Sequence, residues 1–585
     1  ALPIYEIKQR GLYLFDIWGY VPGSGPGGVW QAFQVPAKSL EIFQSVLGER
    51  WLGMDNGEQD GRYIGGFSNQ MLFCNSREEQ YLNFQNHFQG LTNRLGDKMS
   101  ALVSLNYGHY FLKEGNYCLI GAETAQGLPN AQIYYAFIRG AGKQYGVPWF
   151  GNASVWNRWG WKNYEGITSD NGGNEKGTSL SLLKRLLYSH IFYNCVAVGF
   201  EASFFDKSGK LSPIGKIQQS ANMWVEKNSD PGILYTPVAI MTDFFSGWTF
   251  PRHLYTSKTY RVWGNLPYGE GDYLMDGVLD LLYPGYQDAS YYHNEKGFLT
   301  ATPFGDIADC ILSDAPLWLL LQYPVLIVGG ELKGGEEIKD KLEKYVREGG
   351  HLVLTSGNLG HFPDGIFDWR KAVSIKTIPK GSGVSCLNNK IIEPEEFQVA
   401  ELSIPADAET IATCNNEPLV FRKHYGKGTF TLFASPYGIN HNLLTEGTIK
   451  ATIDGPLLKP YVMAGHVKAI LEDIMAETAI FTVNPELSLI TCRKEKGLYT
   501  LLVTNNTWEE KPFSIKSLHG KIQEIKELKT DESERKAIGF LPENLKSNTG
   551  KNSAASIAGG DVRIFSVRIA EENVEEIPYI PQIRQ

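Results

Sequence analysis

The first 230 residues alternate short apolar runs with amphipathic segments, a pattern typical of a parallel α/β fold. The apolar runs predict six strands: Gly11–Trp18, Arg50–Met54, Ser100–Asn106, Tyr117–Ala122, Val147–Ala153 and Val196–Phe200. The segments between them predict five helices: Pro36–Gly48, Arg77–Leu95, Asn130–Tyr145, Ser179–Tyr193 and Pro213–Asn228. This length suits a (β/α)8-like TIM barrel, here short or irregular because only six or seven strands are evident.

A second α/β unit is predicted from the strand Pro237–Asp243 onward. Its clearest part is a strand at Tyr323–Gly330, a helix at Gly334–Glu348 and a buried strand at Gly349–Ser356. Gly426-Lys-Gly428 does not lead from a strand into a helix, so it predicts a hairpin turn and not a phosphate-binding loop. The unit is Rossmann-like, of the flavodoxin type.

From about residue 470 the pattern changes to short alternating strands at Ser488–Arg493, Tyr499–Asn505 and Val562–Val567. This pattern predicts a small β-sandwich. The predicted domains are therefore residues 1–232, the barrel; 233–470, the Rossmann-like unit; and 471–585, the sandwich.

Charge and composition reduce the number of possible function classes. The formal net charge of −9 argues against a nucleic-acid partner. No apolar run is long enough to predict a membrane span. Aromatic residues make up 12% of the chain, which fits a carbohydrate-active protein as well as a large aromatic core. Because the chain starts at Ala1, a removed leader and a secreted or periplasmic location are expected.

Two glutamates follow predicted strands, where a barrel places its chemistry. Glu123 ends the run from Tyr117, and Glu201 directly follows Val198-Gly-Phe. Two such carboxylates could flank a glycosidic bond, one donating a proton while the other attacks or activates water. Each could equally be a structural acid satisfied by a neighbouring cation.

Further candidates for substrate binding follow other strands. They are Asp55, Glu58, Asp60 and Arg62 after the second strand, Asn106, His109 and Tyr110 after the third, and Asn152, Trp156 and Trp159 in an aromatic segment. His109 and Tyr110 could also act as base and acid of a lyase, or simply pack. The acids at 55–60 do not match a calcium loop, and the seven scattered cysteines form no zinc pattern, so no metal or other cofactor is expected.

The order of the three units resembles that of the family 42 β-galactosidases and related clan A glycoside hydrolases. The resemblance is carried by Tyr345-Val-Arg-Glu-Gly-Gly-His-Leu-Val-Leu and by Tyr425-Gly-Lys-Gly428, and in the barrel by Val155-Trp-Asn-Arg-Trp. It implies a middle domain with a class I amidotransferase-like fold and a homotrimer.

The resemblance also implies an Asn-Glu acid/base and a nucleophile on the seventh strand. Here Ala122 precedes Glu123, and Asn152–Ser154 holds no carboxylate. Either the barrel has lost a strand and Glu201 is the nucleophile, or the mechanism differs from that of the family.

The sequence thus predicts a retaining glycoside hydrolase acting on an oligo- or polysaccharide, with Glu123 as acid/base and Glu201 as nucleophile. The alternatives are a polysaccharide lyase using His109 and Tyr110, and a glycan-binding protein without activity. The middle domain is expected to serve homo-oligomer assembly. Its segment Phe244–His253, which includes Trp248, could instead lie over the barrel mouth and bind substrate.

Overall fold

The structure is a computed structural model that describes residues 2–16, 19–20, 33–34, 36–55, 74–95, 99–101, 108–124, 131–155, 168–169, 172–173, 180–200, 204–228, 230–246, 270–284, 299–438, 462–507, 509–530 and 555–570. In this part of the chain, no helix combines the length and the apolarity that crossing a bilayer requires. The described elements fall into three regions, taken in turn below.

The first region alternates helices and strands as the sequence predicts. Its helices are α1 (Leu2–Gln9), α2 (Ala37–Leu47), α3 (Arg77–Leu95), α4 (Gly108–Glu114), α5 (Ala131–Tyr145), α6 (Leu180–Phe192) and α7 (Pro213–Asn228). Its strands are β1 (Leu14–Asp16), β2 (Gly19–Tyr20), β3 (Phe33–Gln34), β4 (Trp51–Asp55), β5 (Met99–Ala101), β6 (Tyr117–Thr124), β7 (Trp149–Ala153), β8 (Thr168–Ser169), β9 (Gly172–Gly173) and β10 (Val198–Phe200).

Six of these strands form one parallel sheet in the order β1-β4-β5-β6-β7-β10. These six strands thus follow one another across the sheet in the order in which they occur in the chain. A β/α barrel requires this order. The six predicted strands are confirmed. Within the described residues, no hydrogen bonds join β10 back to β1, so a closed barrel stays a prediction.

Helices α5 and α6 cover one face of this sheet. The indole Nε1 of Trp149 donates to the carbonyl of Tyr193 just after α6, at 2.8 Å. The hydroxyl of Tyr135 on α5 donates to the carbonyl of Phe150 at 3.0 Å. Side chains alternate between the two faces of a strand. Because Trp149 faces the helices, the residue after it and every second residue from there occupy the opposite face of β7.

The middle region is built on a nine-stranded sheet of order β13-β12-β14-β15-β22-β21-β20-β17-β18. Its elements are β12 (Val238–Thr242), α8 (Glu270–Leu282), β13 (Ala308–Leu312), α9 (Leu317–Leu320), β14 (Val325–Val328), α10 (Glu336–Arg347), β15 (His351–Thr355), β16 (Ser374–Ile378), β17 (Gly383–Cys386), β18 (Asn389–Ile392), β19 (Phe397–Glu401), β20 (Glu409–Cys414), β21 (Glu417–Tyr425), β22 (Gly428–Phe433) and α11 (Gly465–Thr478).

The first five strands in that order are parallel, and the remaining neighbours pair antiparallel. This confirms the predicted strand–helix–strand unit. The pairing of Tyr425 with Gly428 confirms the predicted hairpin turn.

The C-terminal region is dominated by a five-stranded antiparallel sheet of order β11-β24-β25-β30-β28. The strands are β11 (Ile233–Leu234), β23 (Phe481–Thr482), β24 (Ser488–Glu495), β25 (Leu498–Thr504), β26 (Lys511–Phe513), β27 (Lys516–Ser517), β28 (Ile522–Glu527), β29 (Ala555–Ile557) and β30 (Val562–Ile569). β11 precedes the middle region in sequence but pairs here. Residue 470, where we expected a boundary, lies inside α11.

A buried charge network joins the first region to the middle region. Arg139 on α5 donates to Asp309 at 2.8 Å and to Asp306 at 3.2 Å, and Lys143 donates to Asp309 at 2.6 Å. All four side chains are buried. At Gly140 a Cβ atom would lie 1.7 Å from the carbonyl oxygen of Cys310, so only glycine lets α5 approach β13 this closely.

Candidate active site

The candidate site lies at the carboxyl ends of β6, β7 and β10. Glu123 on β6 pairs with Asn152 on β7, and Asn152 pairs in turn with Gly199 on β10. In a parallel sheet, residues in register share a level and a face. Glu123, Asn152 and Gly199 therefore form one row across three neighbouring strands, near the edge where barrel enzymes place their chemistry.

The contacts of Thr124 identify the face on which this row lies. Its hydroxyl donates to the carbonyl of Asn152 at 3.2 Å and lies 3.4 Å from Nε2 of His190 on α6. Thr124 thus occupies the helix-covered face. Glu123, one residue earlier, occupies a position on the opposite face, which is the interior face of a β/α barrel.

His190 supports the strands from behind. Its ring is buried and lies 4.9 Å from the ring of Tyr135. Burial lowers the pKa of His190 to about 3, so the imidazole is neutral near pH 7. At Gly151 a Cβ atom would lie 2.4 Å from this ring, and the absence of a side chain there lets His190 pack against β7.

Asn152 is the one predicted binding residue whose side chain is described in this row. It is 7% exposed, and its Nδ2 has no hydrogen-bond partner among the described residues. A buried amide without a partner is costly, and a substrate hydroxyl or a carboxylate could satisfy it. The role of Asn152 in substrate binding stays a prediction.

Sequence reasoning missed His190 and Thr124 as supports of this row. The available signal was a histidine inside the apolar helix predicted at 179–193, opposite a strand that contains glycine. Such a histidine is more often a packed core residue than a catalytic one, and the structure gives it that packing role.

His109 and Tyr110 do not lie in a loop, because both belong to helix α4 and are buried. The His109 ring packs edge-on against Phe137 and Tyr145, with centroids 6.4 Å away in each case. Burial lowers its pKa to about 4. The hydroxyl of Tyr110 donates to the carbonyl of Phe244. These placements favour packing over substrate contact for both residues.

For the remaining predicted residues, a site stays a prediction. Asp55 ends β4, the strand two places from β6 in the sheet. Eight others lie outside the described residues: Glu58, Asp60, Arg62, Asn106, Trp156, Trp159, Glu201 and Trp248. Among the residues that are described, no three His, Cys, Asp or Glu side chains cluster as metal ligands would.

No family model matches the chain, and no curated protein matches its sequence. Solved structures do match. The β-galactosidase from Bacillus circulans sp. alkalophilus aligns at 13% identity with a TM-score of 0.47, over 87% of this chain and 68% of that chain. The β-galactosidase from the Antarctic haloarchaeon Halorubrum lacusprofundi aligns at 9% identity with a TM-score of 0.47, over 88% and 69%.

A third match is the family 42 exo-carrageenase from Bacteroides ovatus. It aligns at 9% identity with a TM-score of 0.40, over 93% of this chain and 65% of that chain. In architecture, the chain is similar to β-galactosidases and related family 42 glycoside hydrolases.

Proposed function

We propose that the protein is a glycoside hydrolase that cleaves an oligo- or polysaccharide with retention of configuration. Glu123 would be the general acid/base and Glu201 the nucleophile. The observation that carries this proposal is the row formed by Glu123, Asn152 and Gly199 at the carboxyl ends of three parallel strands. The row supports the proposal because β/α barrels bind and cleave substrates at the carboxyl ends of their strands.

The register also supports the choice of partner for Glu123. Gly199 is level with Glu123 through Asn152, and Glu201 is two residues further along the chain. Because strand faces repeat every second residue, continuation of β10 would bring Glu201 to the same face as Glu123. We propose that the two carboxyl groups face each other across the glycosidic bond, about 5–5.5 Å apart as retention requires.

The proposed chemistry has two steps. The carboxylate of Glu201 attacks the anomeric carbon while Glu123 donates its proton to the leaving glycosidic oxygen. Glu123, now a carboxylate, then takes a proton from water, which attacks the anomeric carbon and releases Glu201. The Asn152 amide would donate a hydrogen bond to a sugar hydroxyl beside the reacting carbon. The chemistry as proposed uses no metal or cofactor.

The proposed hydrolase and its two alternatives, a lyase and a glycan-binding protein, differ in their products. Hydrolysis creates new reducing ends, whereas elimination by a lyase also creates the ultraviolet absorbance of an unsaturated uronate. The packing of His109 and Tyr110 gives the lyase no support, because neither side chain reaches an open surface. A glycan-binding protein would bind saccharide and release no product.

A screen of the full chain against plant, algal and host glycans tests the proposal. Reducing-end assay, ultraviolet absorbance and product chromatography are followed together. We expect reducing ends without unsaturated products on at least one glycan. Unsaturated products would establish the lyase. Binding without any product, on glycans that the chain retains, would establish the glycan-binding alternative.

We also propose that the chain forms a homo-oligomer through its middle region. One chain has a mass of 65.3 kDa, so light scattering at micromolar concentration distinguishes the states directly. A multiple of this mass is expected, and the mass of a single chain would reject assembly.

A further inference from the structure

A cavity of about 390 Å³ lies at the carboxyl edge of the middle sheet, and no residue of the row described above lines it. Thr242 and Asp243 reach it from the end of β12, and Gly329, Gly330 and Glu331 reach it from the end of β14. Its volume is in the range of small-molecule sites. Apart from the segment Phe244–His253, the sequence predicts no binding residue in the middle region, so this cavity is new.

The cavity lies where the chain changes direction across the sheet. From β12 the chain passes through α8 to β13 on one side, and then continues to β14 on the other side of β12. Open α/β sheets bind their ligands in the crevice outside the strand ends at such a switch point. The fold therefore opens a crevice where it is expected to bind a ligand.

One threonine that lines this cavity has a buried hydroxyl without a hydrogen-bond partner among the described residues. Thr242 is 3% exposed, and its Oγ1 makes no hydrogen bond within the described part of the chain. A buried hydroxyl without a hydrogen bond is destabilising, and the methyl group of valine would fill the same space at no such cost. A ligand that hydrogen-bonds to Thr242 would account for the hydroxyl.

The carboxylates around Thr242 are held in fixed positions. Asp243 accepts hydrogen bonds from the backbone N–H groups of Phe245, at 3.0 Å, and Lys333, at 2.8 Å. Asp272 accepts one from Nη1 of Arg77 at 2.9 Å, and an oxygen of Glu331 lies 2.8 Å from Nε2 of His361. Fixed side chains lose little entropy when they bind, so the cavity is preorganised.

The charges of the lining favour a neutral ligand. Asp243, Asp272 and Glu331 are balanced in part by Arg77 and Lys333, so the lining has no positive excess for a phosphate. No metal-ligand cluster occurs among the described residues, so nothing here indicates a cation. Closely spaced donors and acceptors of both kinds instead suit the hydroxyls of a sugar.

An aromatic ring completes the lining. Phe245 is half-buried, and Nζ of Lys333 lies 4.5 Å from the centre of its ring. Sugar rings stack their apolar C–H faces on such rings while their hydroxyls bond to charged neighbours. We propose that this cavity is a second carbohydrate site, which binds one or two neutral sugar units independently of the barrel site.

The first region also contributes to the lining of the cavity. Asn75, Ser76 and Arg77 at the start of α3 line it, and α3 follows β4 in the chain. In a β/α unit the helix begins on the side where the strand ends. A long glycan held in the cavity would thus lie on the same side as Glu123.

Calorimetric titration of the full-length Glu123→Gln variant with neutral mono- and disaccharides tests this proposal. The variant removes turnover that would complicate the titration. The critical substitution is Thr242→Val, which keeps the side-chain volume and removes the hydroxyl. The matched control is Thr500→Val, because Thr500 on β25 is also buried with an Oγ1 that lacks a partner among the described residues, but does not line the cavity.

We expect Thr242→Val to weaken the affinity for a sugar about fivefold to tenfold, the effect of one hydrogen bond, and not to lower the melting temperature. Thr500→Val should leave the affinity unchanged. Glu331→Gln, on the exposed rim, should also weaken binding. The proposal is overturned if no neutral sugar binds, if Thr242→Val binds as tightly as Thr500→Val, or if inorganic phosphate binds in place of sugar.

The two proposals can fail separately. Sugar binding that depends on Thr242, in a chain that hydrolyses no glycan, would overturn the hydrolase proposal alone. Hydrolysis without Thr242-dependent binding would overturn only the second site.

Discussion

Glu123 on β6 is paired in register with Asn152 on β7. The two residues are separated in the sequence and share no motif. Only the parallel pairing of their strands brings them to the same level of the sheet. Thr124 and Gly151, one residue away on each strand, face His190 on α6. Helix α6 thus packs on one face of these strands. The row of Glu123, Asn152 and Gly199 occupies positions on the opposite face.

Substitution of Asn152 tests whether its amide binds substrate. Its Nδ2 has no partner among the described residues, so Asn152→Ala breaks no described hydrogen bond of this nitrogen. We expect kcat/KM to fall about tenfold to a hundredfold, the loss of a hydrogen bond worth about 1–3 kcal/mol, with little change in melting temperature. Asn222→Ala, on the exposed side of α7, is the control. Equal kinetics for both variants would exclude Asn152 from the site.

Gly151→Ala tests the packing of His190 behind β7. The new Cβ would lie 2.4 to 2.5 Å from ring atoms of His190, so the free energy of unfolding should fall by about 1–3 kcal/mol. Among the described residues, nothing lies within 4 Å of such a Cβ on Gly199 of the neighbouring strand. Gly199→Ala should therefore stay within about 1 kcal/mol of the wild type in urea denaturation. Similar losses in both variants would contradict the described packing.

Acid should destabilise the fold through His190. The ordinary pKa of histidine is 6.5, and burial lowers that of His190 to about 3. Between these values the unfolded chain binds a proton that the folded chain does not, so this group lowers stability as the pH falls from about 6.5 to about 3.

The slope of unfolding free energy against pH measures this contribution. His190→Gln should flatten the slope in that window by at most about 1.4 kcal/mol per pH unit. His424→Gln, at an exposed histidine, is the control for the substitution itself. A slope that His190→Gln does not alter would show that His190 is protonated in the folded state at these pH values.

Asp309→Asn tests the junction between the first and middle regions. The buried Asp309 accepts hydrogen bonds from Arg139 and Lys143, and these two cations hold its pKa below the usual range although burial alone would raise it. Loss of its charge leaves two buried cations with less compensation, which typically costs about 3–5 kcal/mol.

The control for Asp309→Asn is Glu495→Gln, whose partner Arg568 lies 3.3 Å away and whose side chain is 60% exposed. Exposed pairs contribute about 1 kcal/mol or less. We expect guanidinium denaturation to separate the two variants by at least about 2 kcal/mol. Equal stability would mean that the buried network does not hold the regions together.

Local pattern predicted much of the first region. Helix α3 spans Arg77–Leu95 and α7 spans Pro213–Asn228, the predicted bounds. The first turn of α3 carries the acids Glu78 and Glu79, and α7 begins with Pro213, both typical of a helix start. Strand β5 is described at Met99–Ala101, and the rest of its predicted range, 102–106, lies outside the described residues.

The row at Glu123 and the cavity of the middle region could be predicted less well from the sequence. Glu123 was found because it ends an apolar strand, whereas its register with Asn152 depends on tertiary pairing. The cavity of the middle region combines Arg77, Thr242, Asp272, Glu331 and His361, which the chain brings together from five separate segments. The signal that could have located it was polar residues after two strands, at Asp243 and at Glu331, on either side of a change in strand order.

Turnover by Glu123→Gln tests the central claim most directly. It is measured on a saccharide that the wild type hydrolyses, beside Glu201→Gln and the exposed control Glu226→Gln on α7. We predict that kcat falls at least about a thousandfold in Glu123→Gln and in Glu201→Gln, at unchanged melting temperature, and stays near the wild-type value in Glu226→Gln. Near-normal turnover by Glu123→Gln would contradict its role as the acid/base.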